Sequence, residues 1–366
     1  MRLTMGEERV IVRGIRPEEG LWGPYQFPRP YNLGDRLVVA VHVFEDDIRG
    51  LGKTNRWFES CDEGKTWREV DPSVSVECGL RLPNGDRIYF PMESGVDVSG
   101  YKTLPQEYLT PGYDFTQPAE EGTLPFPDGM TFWQGGMTIR AYRAERLPES
   151  LREKEWLMKR IPAGQTEPVT EHAQVNWPYL TRVIFDGGNL HQVMKPIFPR
   201  GNPKLGPDGA VWVSAFSGEG HLNPANGWYS PYYSAELFRS EDDGHTWSRP
   251  TRFAFTGILP RLCTLGNGVT LLCYARPGIF VQACADGKGL EWSAPLEVMT
   301  PNDRSGLHNL KIERPAFHEW DGACNNPEIV PLNDTTALLF YSDFYYPDEQ
   351  GVKRKTILCR EIRVED

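Results

Sequence analysis

A motif of eight residues that occurs twice constrains the fold of this chain more than any other feature. Residues 60–67 read Ser-Cys-Asp-Glu-Gly-Lys-Thr-Trp, and residues 240–247 read Ser-Glu-Asp-Asp-Gly-His-Thr-Trp. A degenerate third copy, in which the serine and threonine are lost, ends at Trp292. Aspartate and glycine after an apolar run are typical of a tight turn between antiparallel strands. Each closing tryptophan needs a surface to bury it, so the motif predicts repeated hairpins.

A second kind of turn divides the chain into units. Short polar turns occur at residues 33–36, 82–86, 206–209, 265–268 and 332–335, and the apolar runs that follow them are residues 37–43, 87–91, 210–216, 269–275 and 336–342. Five units are clear, and a diverged sixth is assigned to residues 115–185. Four short strands cannot cover their own apolar faces, so radial stacking buries them best. The prediction is an all-β fold: one six-bladed β-propeller domain over residues 1–366, with four-stranded antiparallel blades. A pair of β-sandwiches or a parallel β-helix would leave the Trp turns unexplained.

Two further segments complete this predicted architecture. The apolar residues 9–12 are expected to pair with the last unit, whose late strand covers residues 356–362, and so to close the ring. Residues 148–160 carry the only helical pattern, with Ser150 as cap and Glu153 three residues later. This segment is predicted as a helix or as a short helix within a loop.

Composition narrows the possible functions. The net charge is −11 and no Lys/Arg block is present, which argues against a nucleic-acid or membrane-surface partner. The seven cysteines form no CxxC pair and no zinc-ligand spacing, so we expect no metal and no cofactor. Several cysteines lie in apolar runs and are predicted to be buried free thiols. Free thiols indicate the reducing cytoplasm as the location of the protein. The amino terminus has no apolar signal segment, although a chain that has lost one would be secreted or periplasmic. The oligomeric state is not predicted.

The repeated Ser-x-Asp-x-Gly-x-Thr-Trp motif resembles the Asp-box, or bacterial neuraminidase, repeat of the sialidase superfamily, whose fold is a six-bladed β-propeller. The resemblance implies an exo-acting glycoside hydrolase that removes a terminal, acidic sugar from a glycan, with its pocket on the propeller axis. In that family the Asp boxes are peripheral turns that stabilise blades. The motif therefore indicates a fold, and the catalytic residues need separate arguments.

The start of the first unit matches the family's catalytic pattern. Sialidases carry an arginine just before the first complete blade, and Arg29 in Phe27-Pro28-Arg29-Pro30 is its counterpart here. The family's acid/base aspartate lies in the next loop, which makes Asp47 the predicted general acid/base, with Asp46 beside it. The alternative is a pair of solvated loop acids.

The later units depart from the family's pattern. Asn325 and Asn326 stand where the nucleophilic tyrosine is expected, which leaves Tyr341 as the nucleophile candidate. Arg276 lies where an arginine could emerge from the penultimate blade, but the unit before it offers Glu219 and no arginine. Without a tyrosine nucleophile and a complete arginine triad, a different terminal sugar and a pair of carboxylates are the expectation.

The predicted site residues follow from these matches. The catalytic candidates are Asp47, Glu219, Glu328 and Tyr341, and the substrate-binding candidates are Arg29, Asp46, His42, His221, Arg261, Arg276 and Asn326. Structural alternatives stay open: Glu219 could be a solvated loop acid, and Glu328 could lie on a strand face beside an arginine. Histidines His42, His191 and His221 converging on the axis would suit a uronate lyase. The remaining alternatives are a non-sialic glycosidase and a non-catalytic glycan-binding propeller.

Overall fold

The turns predicted from the sequence connect short strands of small antiparallel sheets. In this computed structural model the described residues are 1–15, 26–43, 55–71, 79–90, 95–96, 137–142, 155–175, 181–186, 189–194, 203–216, 222–223, 228–229, 235–248, 251–254, 258–275, 278–299 and 326–365. Their strands are β1 (Arg2–Met5), β2 (Arg9–Arg13), β3 (Gln26–Asn32), β4 (Leu37–His42), β5 (Asn55–Ser60), β6 (Arg68–Val70), β7 (Leu80–Arg81), β8 (Arg87–Tyr89), β9 (Gly95–Val96), β10 (Met137–Tyr142), β11 (Glu155–Ile161), β12 (Val169–Val175), β13 (Thr181–Asp186), β14 (Asn189–Met194), β15 (Lys204–Leu205), β16 (Val211–Phe216), β17 (Leu222–Asn223), β18 (Trp228–Tyr229), β19 (Ala235–Ser240), β20 (Thr246–Trp247), β21 (Thr251–Ala254), β22 (Ile258–Thr264), β23 (Thr270–Ala275), β24 (Ile279–Cys284), β25 (Leu296–Met299), β26 (Glu328–Pro331), β27 (Thr336–Pro347) and β28 (Lys353–Glu365).

Five of the sheets are the blades of a β-propeller. Blade 1 is β3-β4-β5-β6, blade 2 is β7-β8-β11-β12, blade 3 is β15-β16-β19-β21 and blade 4 is β22-β23-β24-β25. Blade 5 is β26-β27-β28, completed by β1 and β2, which both pair with β28. The predicted pairing of the amino-terminal strand with the last unit is therefore confirmed. The positions of the five turn-and-strand units are also confirmed, because β4, β8, β16, β23 and β27 begin within one residue of the expected apolar runs.

The prediction of six blades is wrong, because residues 115–185 do not form a unit of their own. From that stretch, β11 and β12 complete blade 2, since β11 pairs with β8 at one edge and β12 at the other. The segment between β8 and β11 contributes β9 and β10, which pair with β14 and β13 in a separate four-stranded sheet. A long insertion inside one blade thus resembled an additional blade. A two-stranded ribbon, β17-β18, lies between the second and third strands of blade 3.

Blade 5 packs on blade 1, and blades 2, 3, 4 and 5 pack on one another in that order. The apolar face of β4 and β5 in blade 1 packs with Leu338 and Phe340 of blade 5. Ile88 and Met158 of blade 2 pack with Phe238 of blade 3, and equivalent clusters join blade 3 to blade 4 and blade 4 to blade 5. Burial of these apolar faces is the main favourable contribution to the fold.

The predicted helix at residues 148–160 is also wrong in its described part. Residues 155–161 form strand β11, which is paired on both sides. Met158 and Arg160 alternate inward and are both buried, so pairing within the sheet overrides helix propensity. The proposed cap, Ser150, and its partner Glu153 lie outside the described residues.

The two complete copies of the repeated motif form the same hydrogen-bonded turn, called the Asp turn below. In residues 240–247, Asp242 accepts from the hydroxyls of Ser240 (2.8 Å) and Thr246 (2.6 Å) and from the Thr246 amide (2.8 Å). Trp247 Nε1 donates to the carbonyl of Gly244 at 2.9 Å. Residues 60–67 repeat every one of these bonds. The turn therefore satisfies its own polar groups and directs its tryptophan towards a neighbouring blade.

In the third copy, a cysteine takes the place of the serine. Cys284 Sγ donates to Asp286 at 2.8 Å, and the Asp286 carboxylate also accepts from four backbone amides between residues 288 and 291. Partial burial raises the pKa of Asp286, but the hydrogen bond from Cys284 and those from the amides outweigh it and leave the pKa low. Asp286 thus anchors this turn without the threonine of the other copies.

Each Asp turn is seated on the preceding blade. A Cβ added to Gly64 would lie 2.6 Å from the Leu338 side chain of blade 5, and one added to Gly244 would lie 3.1 Å from Met158 of blade 2. The second Asp turn also forms β20, which pairs with β12, and the buried Arg160 of blade 2 donates to the Asp243 carbonyl at 2.8 Å. Blades 2 and 3 are therefore directly adjacent, in agreement with five blades.

Candidate functional site

The first strands of the blades lie side by side and define the inner wall of the propeller. Strand β26 contacts both β3 and β22, and β22 contacts β15. Side-chain hydrogen bonds connect first strands of neighbouring blades. Asn32 Nδ2 of β3 donates to the Pro331 carbonyl of β26 at 2.8 Å, and Thr264 Oγ1 of β22 donates to the Leu205 carbonyl of β15 at 3.3 Å. Antiparallel pairing places the loops between second and third strands at the opposite end from the Asp turns. Glu328, at the start of β26, is the described catalytic candidate at that end.

At that end, three consecutive blades share a local motif, called the Pro turn below. Phe27, Leu259 and Asn326 have φ values of 50°, 52° and 42°. Each is followed by a proline and then by a charged residue: Arg29 in blade 1, Arg261 in blade 4 and Glu328 in blade 5. In blades 1 and 4 the turn is a bulge against the second strand. Non-glycine residues in this region of φ are strained, and such strain concentrates at functional sites.

The charged residues of two Pro turns form an ion pair between neighbouring blades. Arg261 Nε donates to Glu328 Oε1, and Arg261 Nη1 donates to the Pro260 carbonyl at 3.1 Å. Both side chains keep partial access to solvent, at 17% and 24% of their free area. The structure therefore brings Arg261 and Glu328 together and leaves them exposed enough to meet a ligand. This is also the arrangement foreseen for Glu328 as a strand residue beside an arginine.

Arg29 occupies the equivalent position of blade 1. It is exposed, and no hydrogen bond or ion pair to it is found among the described residues. Strand β3, which carries it, lies against β26, which begins at Glu328. Arg29 is thus a cationic group on the inner wall, one blade beyond the ion pair.

Two more predicted residues lie at the same end and are buried. His42 ends β4 and is 3% exposed, with its ring centroid 6.1 Å from that of Phe27. Asn326 begins the Pro turn of blade 5 and is 5% exposed. His42 thus contacts the Pro turn of blade 1, and Asn326 is part of that of blade 5; their roles in binding a substrate stay predictions.

Tyr341 lies in the interface between blades 4 and 5. It is fully buried in the apolar cluster of that interface, and its hydroxyl donates to Glu8 Oε2 at 2.6 Å. The structure does not bring it together with the Arg261–Glu328 pair by any described contact. Its role as nucleophile stays a prediction.

The other predicted site residues are not described. Asp46, Asp47, Glu219, His221 and Arg276 lie outside the described residues, and their roles stay predictions. His191 lies on β14, in the separate sheet. No group of three or more His, Cys, Asp or Glu side chains that could hold a metal ion occurs in the described part of the chain.

The thiols of Cys263 and Cys273, near the inner wall, are buried and have raised pKa values. Burial raises the pKa of Cys263 to about 12 and that of Cys273 well above its usual value of 9.0. The Glu328 carboxylate raises the pKa of Cys273 further, whereas Arg261 lowers it. Four of the five described cysteines are buried free thiols, as predicted, and Cys61 is exposed. Within the same described ranges, no helix has the length and apolarity needed to cross a membrane.

Sequence reasoning missed the Pro turn as a repeat, although its signal is present. Phe27, Leu259 and Asn326 each precede the leucine of the following polar turn by six residues, at Leu33, Leu265 and Leu332. The spacing alone would have related Arg29, Arg261 and Glu328 to one another.

The fold defines this protein as a β-propeller, and comparisons with known proteins assign no family. No family model and no curated protein matches the chain. Among solved structures, a protein of unknown function from Dyadobacter fermentans is similar over 99% of both chains, at 15% identity and a TM-score of 0.46. A putative exo-beta-1,3-galactanase from Bifidobacterium bifidum matches 93% of this chain and 88% of its own, at 11% identity and a TM-score of 0.39. A sialidase from Streptococcus pneumoniae matches 97% and 70%, at 13% identity and a TM-score of 0.33.

Proposed function

We propose that this protein is a sialidase-like, exo-acting glycoside hydrolase that removes a terminal acidic sugar from a glycan. The observation that carries the proposal is the partly exposed Arg261–Glu328 pair on adjacent inner strands, with Arg29 one blade further along. Guanidinium groups bind a sugar carboxylate by charge-assisted hydrogen bonds, and a carboxylate beside them can act on the glycosidic bond. In this proposal the chain is a single domain, and blades 1 and 2 meet to close the ring.

The proposed chemistry assigns one role to each carboxylate. Asp47 is the general acid/base that protonates the leaving oxygen, and Glu328 or Glu219 supplies the second charge. Arg29, Arg261 and Arg276 bind the acidic group of the sugar. Glycoside hydrolases of most families use two carboxylates in this way, and they need no cofactor.

A glycan panel tests this function. The protein is incubated with glycans that end in sialic acid, in a uronic acid or in a neutral sugar, and the products are separated by chromatography. The proposal expects a free acidic monosaccharide. Release of an unsaturated uronate, detected by ultraviolet absorbance, would indicate a lyase instead. Binding without any released sugar would indicate a non-catalytic glycan-binding propeller.

Asp47→Asn is the matching test of the acid/base. We expect it to abolish release of the sugar and to leave the melting temperature nearly unchanged. Asp35→Asn is the control, because Asp35 is an exposed acid in the turn between β3 and β4. Full activity of Asp47→Asn on the same glycan would show that the assignment is wrong.

A further inference from the structure

The carbonyl oxygen of Pro260 accepts two hydrogen bonds from different blades. Ser214 Oγ, on β16 of blade 3, donates to it at 2.8 Å, and Arg261 Nη1, on β22 of blade 4, donates at 3.1 Å. Ser214 is 3% exposed, and this is the only hydrogen bond of its hydroxyl among the described residues. A buried hydroxyl that serves a single carbonyl of the neighbouring blade is placed to hold that carbonyl.

The Pro260 carbonyl belongs to a part of the backbone that needs support. Leu259, just before it, has φ of 52°, and the register shifts between Ile258 and Arg261. Proline has no N–H, so Pro260 cannot donate to β23 as other strand residues do. Strained conformations persist only where the surroundings determine them, and Ser214 is one such determinant.

The hydrogen bonds continue from Pro260 to blade 5. Arg261 uses Nη1 for the carbonyl and Nε for Glu328. No partner of Arg261 Nη2 is found among the described residues. The orientation of the guanidinium is therefore set from one side by a carbonyl that Ser214 holds and from the other by a carboxylate.

We propose that Ser214 is a positioning residue that acts through the Pro260 carbonyl to orient Arg261 for the carboxylate of an acidic sugar. This inference rests on the proposed function for the identity of the ligand. Its structural part, control of Arg261 by Ser214, does not depend on the ligand.

The first experiment measures the reactivity of Arg261 with phenylglyoxal, which modifies guanidinium groups, by mass spectrometry of the peptide that contains it. A neutral hydrogen bond contributes about 0.5–1.5 kcal/mol, so its loss corresponds to about a twofold to tenfold change. In Ser214→Ala we expect Arg261 to be modified faster by about this factor. Ser214→Thr, which keeps the hydroxyl, should restore the slow rate.

Ser240→Ala is the matched control for this experiment. Ser240 is a buried serine of the same blade whose hydroxyl donates within the Asp turn. Its loss should leave the reactivity of Arg261 unchanged under conditions where the protein is folded. An unchanged rate in Ser214→Ala, or equal acceleration in Ser240→Ala, would overturn the positioning role.

A second measurement uses glucuronic acid as the probe and separates the two proposals. In the wild type, glucuronic acid but not glucose should protect Arg261 from phenylglyoxal, and Ser214→Ala should need a higher concentration for the same protection. If glucuronic acid and sialic acid both fail to protect the wild type, the acidic-sugar proposal fails, and the rates without sugar still decide the role of Ser214. With a cleaved glycan, Ser214→Ala should raise KM more than it lowers kcat.

Discussion

The Asp turns and the Pro turns lie at opposite ends of the blades and differ in how they use their polar groups. Both contain non-glycine residues with positive φ, such as Glu63 at 59° and Leu259 at 52°. In the Asp turn every repeated polar residue is bonded within the turn, and a tryptophan packs on the preceding blade. In the Pro turn the charged residues reach across blades and keep contact with solvent.

This difference indicates a division of roles between the two ends. The Asp turns bring no titratable group to the inner wall, so the geometry that the two copies share serves the packing of blades. The Pro turns place charge where strands from three blades meet. Mutations at the two ends should therefore separate stability from ligand binding.

The largest effect is expected for Trp247→Ala. Trp247 is 2% exposed and packs on blade 2, with its ring centroid 5.7 Å from that of Phe90. Truncation of a buried tryptophan costs about 3–5 kcal/mol because of lost apolar contact and the cavity left behind. Denaturant unfolding measures the loss. Trp57→Ala is the control: Trp57 is half-buried, so its truncation should lower the free energy of unfolding much less.

Asp62→Asn should cost less and should change the pH dependence of stability. Hydrogen bonds from the side chain and backbone of Thr66 lower the pKa of Asp62 from 3.8 to about 2. A lowered folded-state pKa stabilises the protein above about pH 3.8, and this contribution is lost as the pH falls towards 2.

We therefore expect Asp62→Asn to lower the free energy of unfolding by about 1–2 kcal/mol at pH 7. The difference in free energy of unfolding between wild type and variant should become smaller as the pH falls below about 4, as measured by urea unfolding over a pH series. A gap that stays constant with pH would contradict the role of the ionised carboxylate. Glu241→Gln, which changes an exposed acid of the other Asp turn, is the control.

Arg261→Met should have a smaller effect on stability, about 1 kcal/mol, because the Arg261–Glu328 pair is partly exposed. Arg239→Met is a matched control: its ion pair with Asp208 in blade 3 has side-chain exposures of 20% and 29%. The two variants should unfold at similar denaturant concentrations. A loss above about 3 kcal/mol for Arg261→Met alone would indicate that the pair is a structural element of the core.

The smallest effect is expected for Glu63→Gly. Glu63 has φ of 59° and an exposed side chain, so glycine relieves strain there. Because glycine also increases the entropy of the unfolded chain, we expect a net gain of only about 0.5 kcal/mol. A measurable loss of stability would show that the Glu63 side chain contributes to the turn.

Much of the fold could be predicted from local sequence signals. The polar turns, the Asp turns and the pairing of residues 9–12 with the last blade follow from local chemistry and from the need to cover an edge. The number of blades could not, because it depends on whether β8 pairs with β11 across a long insertion. Strand pairing over such a distance has no local signal.

The candidate site was predictable in part for a related reason. The sequence indicated that Arg29, Arg261 and Glu328 precede the polar turns of their units, but it does not indicate which of these charged side chains contact one another. The Arg261–Glu328 pair depends on the order of blades 4 and 5 around the axis. The role of Ser214 depends on the packing of blade 3 against blade 4, and no spacing in the sequence encodes it.

The most direct test of the division between the two ends is a calorimetric titration of the folded protein with glucuronic acid, with glucose as the neutral reference. We predict that the wild type binds glucuronic acid and not glucose, that Arg261→Met weakens this binding at least tenfold, and that Arg239→Met leaves it unchanged. A tenfold loss corresponds to about 1.4 kcal/mol, which is within the range of a charge-assisted hydrogen bond. Equal binding of glucuronic acid by the wild type and Arg261→Met would contradict the account.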